Sequence, residues 1–164
     1  MNVTIYSDGS SKGNPGPGGY GTILHYVDGK GELHELTLSE GFRSTTNNRM
    51  ELLGAIKGLE ALTKPCCVTV ISDSKYLTDA FNQHWIEKWA KNNWKKSDKS
   101  KVLNIDLWLR LLKAMEPHQV TFLWIKGHAG HPENERCDSM ACDSAESDDL
   151  LADTEYEKTE TDYA

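Results

Sequence analysis

Four acids in this chain stand where an α/β fold could bring them together. They are Asp8 in "YSDGSS", Glu51 in "NNRMEL", Asp73 in "ISDSKYL" and Asp138 in "NERCDSM". A fifth feature, the glycine-flanked run "KGHAGH", sets His128 and His131 directly in front of the segment that carries Asp138. At a spacing of about 5 Å and an effective dielectric of about 20, each pair of carboxylates repels by roughly 3 kcal/mol. Such a group persists when it holds a cation. With only oxygen donors in the set and no cysteine or early histidine, the cation is a hard one, Mg²⁺ or Mn²⁺, rather than zinc. A second reading stays open at this level: an aspartate at a strand end also serves a turn, and an acid near a helix start also serves the helix dipole.

The elements that would position these acids follow from periodicity. "NVTIYSDG" alternates as a strand and stops at Asp8-Gly9. "SSKGNPGPGGYG" reads as a turn-rich connection, and two alternating runs around Asp28-Gly29-Lys30-Gly31 read as a hairpin. From Thr45 or Thr46, either of which could cap a helix, Leu52, Ala55, Ile56 and Leu59 recur at helical spacing as far as Lys64-Pro65. Gly54, Ala55 and Gly58 give that helix a small-residue stripe, which would let it approach a sheet and carry Glu51 over the aspartates. "CCVTVISDS" has the profile of a strand buried on both faces and ends at Asp73. One helix is expected through Leu77, Phe81, Trp85 and Trp89, and another through Leu103, Leu107, Leu111 and Met115. A last strand, "QVTFLWIKG", is followed by a helix from Pro132 to about Ala145. The order βββαβααβα predicts one α/β domain: a five-stranded mixed sheet, three strands antiparallel and then two parallel, with helices on both faces. A helical crossover between the first and fourth strands makes them parallel neighbours, with Asp8 beside Asp73 at the carboxyl edge.

Composition narrows the class. With 164 residues, 38% of them hydrophobic, and five tryptophans, the chain makes one domain with a sizeable core. The absence of an 18-residue apolar run excludes a membrane-spanning helix. The start of the chain enters a strand pattern at once, and Cys66, Cys67, Cys137 and Cys142 lack metal or redox spacing; both point to a cytoplasmic protein with reduced thiols. The net charge of -7 would disfavour a nucleic-acid partner if it were spread evenly. It is not: residues 146–164 hold eight acids and one base, so the rest of the chain is neutral. Within that neutral part, Lys88, Lys91, Lys95, Lys96, Lys99 and Lys101 form a dense basic patch with Trp85, Trp89 and Trp94 interleaved. Domain boundaries are therefore expected at 1–148 for the folded body and 149–164 for a flexible acidic C-terminal tail.

"YSDGSSKGNPGPGGYG", "TTNNRMEL", "SDSKYL" and "WIKGHAGHPENERCD", in this order and at these separations, resemble the ribonuclease H family, close to its bacterial type 1 members. The resemblance runs from residue 1 to about 155 and implies the ribonuclease H-like fold. The implied activity is an endoribonuclease that hydrolyses the RNA strand of RNA·DNA hybrids with two Mg²⁺ ions, Mn²⁺ being a substitute, and leaves 5′-phosphate and 3′-hydroxyl ends. Asp8, Glu51, Asp73 and Asp138 match the family's metal-binding carboxylates, and His128 matches its mobile catalytic histidine, suited to proton transfer near neutral pH. His131 reads instead as a helix-entry residue beside Pro132. Asn14, Asn47 and Asn48 match residues that contact the hybrid in its minor groove, where the 2′-hydroxyl distinguishes RNA from DNA. Thr46 matches part of a phosphate-binding pocket.

Lys75 departs from the glutamine common in bacterial relatives; it donates only, which changes the nature of that contact. Lys88, Lys91, Lys95, Lys96 and Lys99 resemble the basic protrusion of bacterial members and would engage DNA phosphates. The alternatives are another nuclease on the same sheet type, as in integrases and resolvases, and a hybrid-binding module without catalysis, which would not need the four carboxylates and His128. A stand-alone monomer is expected. The acidic tail is expected either to be inert or to compete with nucleic acid for the lysines.

Overall fold

The computed structural model describes residues 1–163, with side chains as far as Lys158. Its sheet is built from β1 (Asn2–Ser11), β2 (Gly16–Val27), β3 (Leu33–Thr45), β4 (Cys67–Ser72) and β5 (Gln119–Trp124), in the order β3-β2-β1-β4-β5. β1, β2 and β3 are antiparallel; β4 runs parallel to β1 and β5 parallel to β4. The helices are α1 (Asn47–Glu60), α2 (Lys75–Asn82), α3 (Trp85–Lys91), α4 (Ile105–Met115), α5 (Pro132–Ala145) and α6 (Thr154–Tyr163). The expected five-stranded mixed sheet is present, as is the central parallel pair.

Two close approaches fix the layers. α1 lies against one face of β1 and β2: Thr22 donates its hydroxyl to the Gly54 carbonyl at 2.7 Å, and a Cβ on Gly58 would lie 2.8 Å from Ile5 Cγ2. α5 lies on the opposite face, where a Cβ on Gly19 would fall 2.6 Å from the Ala141 carbonyl oxygen and one on Gly21 would fall 2.3 Å from that of Cys137. This corrects the reading of "SSKGNPGPGGYG" as a loop. Only Lys12 to Pro15 lie between the strands; Gly16, Gly18, Gly19 and Gly21 are strand residues, and Gly19 and Gly21 lack a side chain where the α5 backbone occupies that space.

The core fills the space between α1, α4 and the sheet, with Ile5, Leu52, Ile56, Val70, Leu77, Trp108 and Leu111 all buried. Two helices differ from the expected bounds. The helix expected from Leu77 to Trp89 is broken at His84, whose φ of 61° is left-handed, and this turn directs Trp85 and Trp89 back toward Trp108. α4 begins only at Ile105, after left-handed Asn104 (φ 62°), so Leu103 leaves the buried stripe and is 68% exposed. In both cases a four-residue apolar spacing continues across a turn that is not helical.

Contacts with the body continue past the boundary expected at residue 148. The chain returns to the body at Leu151, whose N–H donates to the Gly41 carbonyl at 2.8 Å and whose carbonyl accepts from the Arg43 N–H at 2.9 Å. Asp153 then accepts from Arg49 Nε and from Thr45 Oγ1, each at 2.7 Å, and Glu157 receives both Arg43 nitrogens at 2.7 and 2.8 Å. An acidic run looks like a solvated tail until the arginines that face it are known; here they belong to β3 and α1. The remainder of the expected tail, Ala164 and the side chains of residues 159–163, lies outside the described residues.

Candidate active site

The parallel β1–β4 pairing ends at Tyr6 opposite Ile71, so Asp8, still in β1 and paired with Gly21 of β2, and Asp73, just past the end of β4, come side by side at the carboxyl edge of that pair. Thr46 caps α1, its hydroxyl accepting from the Arg49 N–H at 3.3 Å, and the first turn of that helix crosses the end of β1. The contact is tight. A Cβ on Gly9 would lie 2.4 Å from the Glu51 nitrogen, and the Gly9 N–H donates both to Asp8 Oδ1 at 2.9 Å and to Glu51 Oε1 at 3.1 Å. Carboxylate oxygens of Asp8, Glu51 and Asp73 all lie within 4.8 Å of one another.

Asp138, on the second turn of α5, faces the same opening. With Asp8, Glu51, Asp73, Asn47 and His128 it lines a cavity of about 410 Å³ whose walls are mostly polar. His128 stands exposed at the rim with φ 55°. Its loop closes on Asp73 because residue 127 is glycine: a Cβ there would come 2.6 Å from Asp73 Oδ2. His131 is the residue before α5, as expected.

The electrostatics show a site with excess negative charge. Asp8 and Glu51 are only 5% and 4% exposed. Burial first, and then the charges of Asp73 and Asp138, push Asp8 up to about 7 against the opposing effect of hydrogen bonds from Glu51 and the Gly9 N–H. Burial and the adjacent Asp8 likewise raise Glu51 well above the carboxylate range. Glu51 Oε2 is buried with no hydrogen-bond partner among the described residues. A buried carboxylate oxygen without a donor is costly, and a bound cation satisfies it. The donor chemistry agrees, since every candidate ligand is a carboxylate oxygen. These residues fit a hard divalent ion.

The residues expected to contact substrate fall into three places. Asn14, Thr46, Asn47 and Asn48 share a second cavity of about 600 Å³, which meets the first at Asn47. Asn14 Oδ1 accepts from the Asn47 N–H and from the Ser11 hydroxyl, each at 2.9 Å, which ties the β1–β2 turn to the start of α1. Lys75 begins α2, and its Nζ sits 4.7 Å from the centroid of Trp124, whose indole N–H donates to the Asp73 carbonyl. Lys88, Lys91, Lys95, Lys96 and Lys99 are exposed on α3 and the segment after it. Lys88, Lys95 and Lys96 surround the partly buried Trp85 and Trp89 there, and none of the five lines the carboxylate cavity. Four residues that the sequence does not mark as functional, Ser11, Leu103, Asn104 and Tyr156, complete the second cavity. Asn104 could have been suspected from its place before a helix; nothing in an acidic segment singles out Tyr156.

Comparison with known proteins agrees with this geometry. Residues 1–146 match the family described as RNase H. The ribonuclease H of Lachnoclostridium phytofermentans is 56% identical over 158 residues, covering 96% of this chain and 100% of that protein. The chain belongs to the ribonuclease H family. It is therefore a nuclease, a phosphodiester hydrolase. The ribonuclease H of Proteus mirabilis is 54% identical over 98% of this chain and 96% of its own length. Among solved structures, a type 1 RNase H with the type 2 active-site motif superposes with a TM-score of 0.78 at 31% identity, over 88% of this chain and 72% of that one. An RNase H1 solved in complex with an RNA/DNA hybrid shares the fold, with a TM-score of 0.59 at 23% identity over 87% of this chain and 96% of that one.

Proposed function

We propose that this ribonuclease H cuts the RNA strand of RNA·DNA hybrids by a two-metal-ion hydrolysis that leaves 5′-phosphate and 3′-hydroxyl ends. The observation that carries the reading is the Asp8–Glu51–Asp73 cluster, whose carboxylate oxygens lie within 4.8 Å of one another and include a buried, unpartnered Glu51 oxygen. Asp8, Glu51, Asp73 and Asp138 would hold the ions, Mg²⁺ by preference and Mn²⁺ as a substitute. When bound, such ions lower the pKa of water and stabilise charge on the phosphate and the departing ribose oxygen.

The protein's own groups do the rest. The carboxylates fix the place of the scissile phosphate at the carboxyl edge of β1 and β4. The bond from a water oxygen to phosphorus forms as the bond from phosphorus to O3′ breaks, and the proton lost by water is balanced by one gained at O3′. His128, exposed on its loop, exchanges protons between the phosphate region and solvent. Asn14, Asn47 and Asn48 read the minor groove with short neutral donors and acceptors, Thr46 takes a phosphate, and the α3 lysines grip the DNA strand. Lys75 contributes a donor beside Asp73.

The relatives named ribonuclease H, and the fold shared with an enzyme solved on an RNA/DNA hybrid, support the substrate. The protein acts as a cytoplasmic monomer in this reading; among the described residues no helix is long and apolar enough to cross a membrane. The test compares cleavage of RNA·DNA, duplex DNA and duplex RNA with Mg²⁺ and with excess chelator, beside Asp73→Asn. Cutting of the hybrid alone, lost in chelator and in the variant, is expected; undiminished cutting in chelator would overturn the metal mechanism.

A further inference from the structure

The second cavity, lined by Asn14, Thr46, Asn47 and Asn48, has two apolar lips from distant parts of the chain, Leu103 and Tyr156. We propose that these two side chains form a rim that packs on the sugars of the bound hybrid, and that the C-terminal segment from Leu151 to Glu157 is a strap whose purpose is to present Tyr156 there. The inference rests on the hybrid being the substrate.

The strap is fixed on both sides of the tyrosine. Three residues before it, Asp153 is clamped by Arg49 Nε at 2.7 Å and Nη2 at 2.9 Å; one residue after it, Glu157 accepts from Arg43 Nε at 2.7 Å and Nη2 at 2.8 Å. Arg49 is only 3% exposed, and its guanidinium carbon lies 5.6 Å from the Tyr156 ring centroid, so the latch and the ring are one unit. Arg49 also stands between Asn48 and Glu51 on α1, and its other contacts reach Asp106 at 2.7 and 2.9 Å. The same guanidinium thus joins the strap, the ring and the start of α4 to α1.

The charges on the strap do not oppose nucleic acid. Asp153 and Glu157 are paired with arginines, and Glu155 receives Lys158 Nζ at 3.2 Å. None of these ion pairs uses a lysine of α3, so the expected competition of the acidic segment for those lysines finds no support among the described residues.

The opposite lip is Leu103, 68% exposed, where the chain turns through left-handed Asn104 into α4. An exposed leucine and a tyrosine edge a cavity whose remaining walls are uncharged asparagine, serine and threonine. That chemistry suits a sugar–phosphate backbone held by hydrogen bonds with its sugars against apolar groups, and not a charge-driven contact. Asn47 lines both this cavity and the carboxylate cavity, so an occupant of the rim lies on the surface that serves the cleaved phosphate.

The test uses the full chain and one RNA·DNA hybrid, with kcat, KM, the salt dependence of KM and Tm measured for the parent, Tyr156→Ala, Tyr156→Phe and Leu103→Ser. Tyr156→Ala should raise KM about tenfold and Leu103→Ser about threefold, with kcat nearly unchanged and Tm lowered only for Tyr156→Ala, which loses its packing on Arg49, while Tyr156→Phe stays within about twofold of the parent. The slope of log KM against log salt should not change, because no phosphate charge contact is removed. A KM for both Tyr156→Ala and Leu103→Ser within about twofold of the parent would overturn the rim, as would a loss confined to Tm. If the parent itself does not cut the hybrid, the proposed substrate has failed and not the rim alone.

Discussion

In the absence of divalent ions the buried aspartate Asp8 should be a liability to the fold, and Asp8→Asn should relieve it. Asp8 is 5% exposed and its pKa is raised from 3.8 to about 7, with burial the largest cause and the charges of Asp73 and Asp138 next. The folded state therefore binds a proton at Asp8 that the unfolded state has already released between about pH 4 and pH 7. Stability contributed by this group is present in full below the unfolded value and is lost as pH rises through the folded one, at a slope of up to about 1.4 kcal/mol per pH unit. Over the whole window the loss is about 4 kcal/mol, an upper figure because Glu51 shares the proton.

Asparagine is nearly isosteric, keeps an acceptor for the Gly9 N–H and carries no charge. In excess chelator at pH 8, Asp8→Asn should be more stable than the parent by about 2–4 kcal/mol, or roughly 5–15 °C in Tm for a chain of this size. At pH 4 the two should coincide. Mg²⁺ should raise the parent toward the variant and leave the variant little changed, since an ion that binds only the folded parent stabilises it by mass action. Urea unfolding from pH 4 to pH 8, with chelator and with Mg²⁺, measures all of this. Equal stabilities at pH 8 in chelator, or parallel pH profiles for the two proteins, would refute the claim that the site carries unrelieved negative charge.

Asp153→Asn removes one of the two charges that face buried Arg49 and should cost about 1–3 kcal/mol in urea unfolding; a loss under about 0.5 kcal/mol would mean that the strap is not anchored there. Gly21→Ala places a Cβ 2.3 Å from the Cys137 carbonyl oxygen, one residue before Asp138. It should lower stability by more than about 2 kcal/mol and reduce kcat at saturating Mg²⁺, and an unaltered kcat would show that α5 tolerates the shift. Replacing Lys88, Lys95 and Lys96 together by glutamine should raise KM at moderate salt and lower the slope of log KM against log salt by about 2–3, with kcat retained; an unchanged slope would remove these lysines from the phosphate contacts.

Much of this protein was legible before folding was considered. The period-2 runs, the helical stripe with Gly54, Ala55 and Gly58, and the crossover between β1 and β4 fix the sheet order and place Asp8 beside Asp73, because side-chain periodicity and chain connectivity are local properties. Motif spacing then supplies Glu51, His128 and Asp138. Other features depend on partners distant in sequence. Whether a glycine turns the chain or makes room for a helix depends on what lies above it, and only the packing of α5 decides that for Gly19 and Gly21. The apolar spacing through Trp85 and Leu103 continues across left-handed His84 and Asn104, so periodicity could not locate those breaks.

The acidic C-terminal run illustrates the same limit through charge. By sequence Asp153 and Glu157 belong to a tail; in space they belong to Arg49 and Arg43, and Tyr156 comes with them to the edge of the second cavity. The sequence by itself determined which chemistry is present and the order of the elements that carry it. The tertiary structure decided which charges are neutralised, which backbone surfaces touch and which side chains border the second cavity, because ion pairing and close packing are set by distance in space.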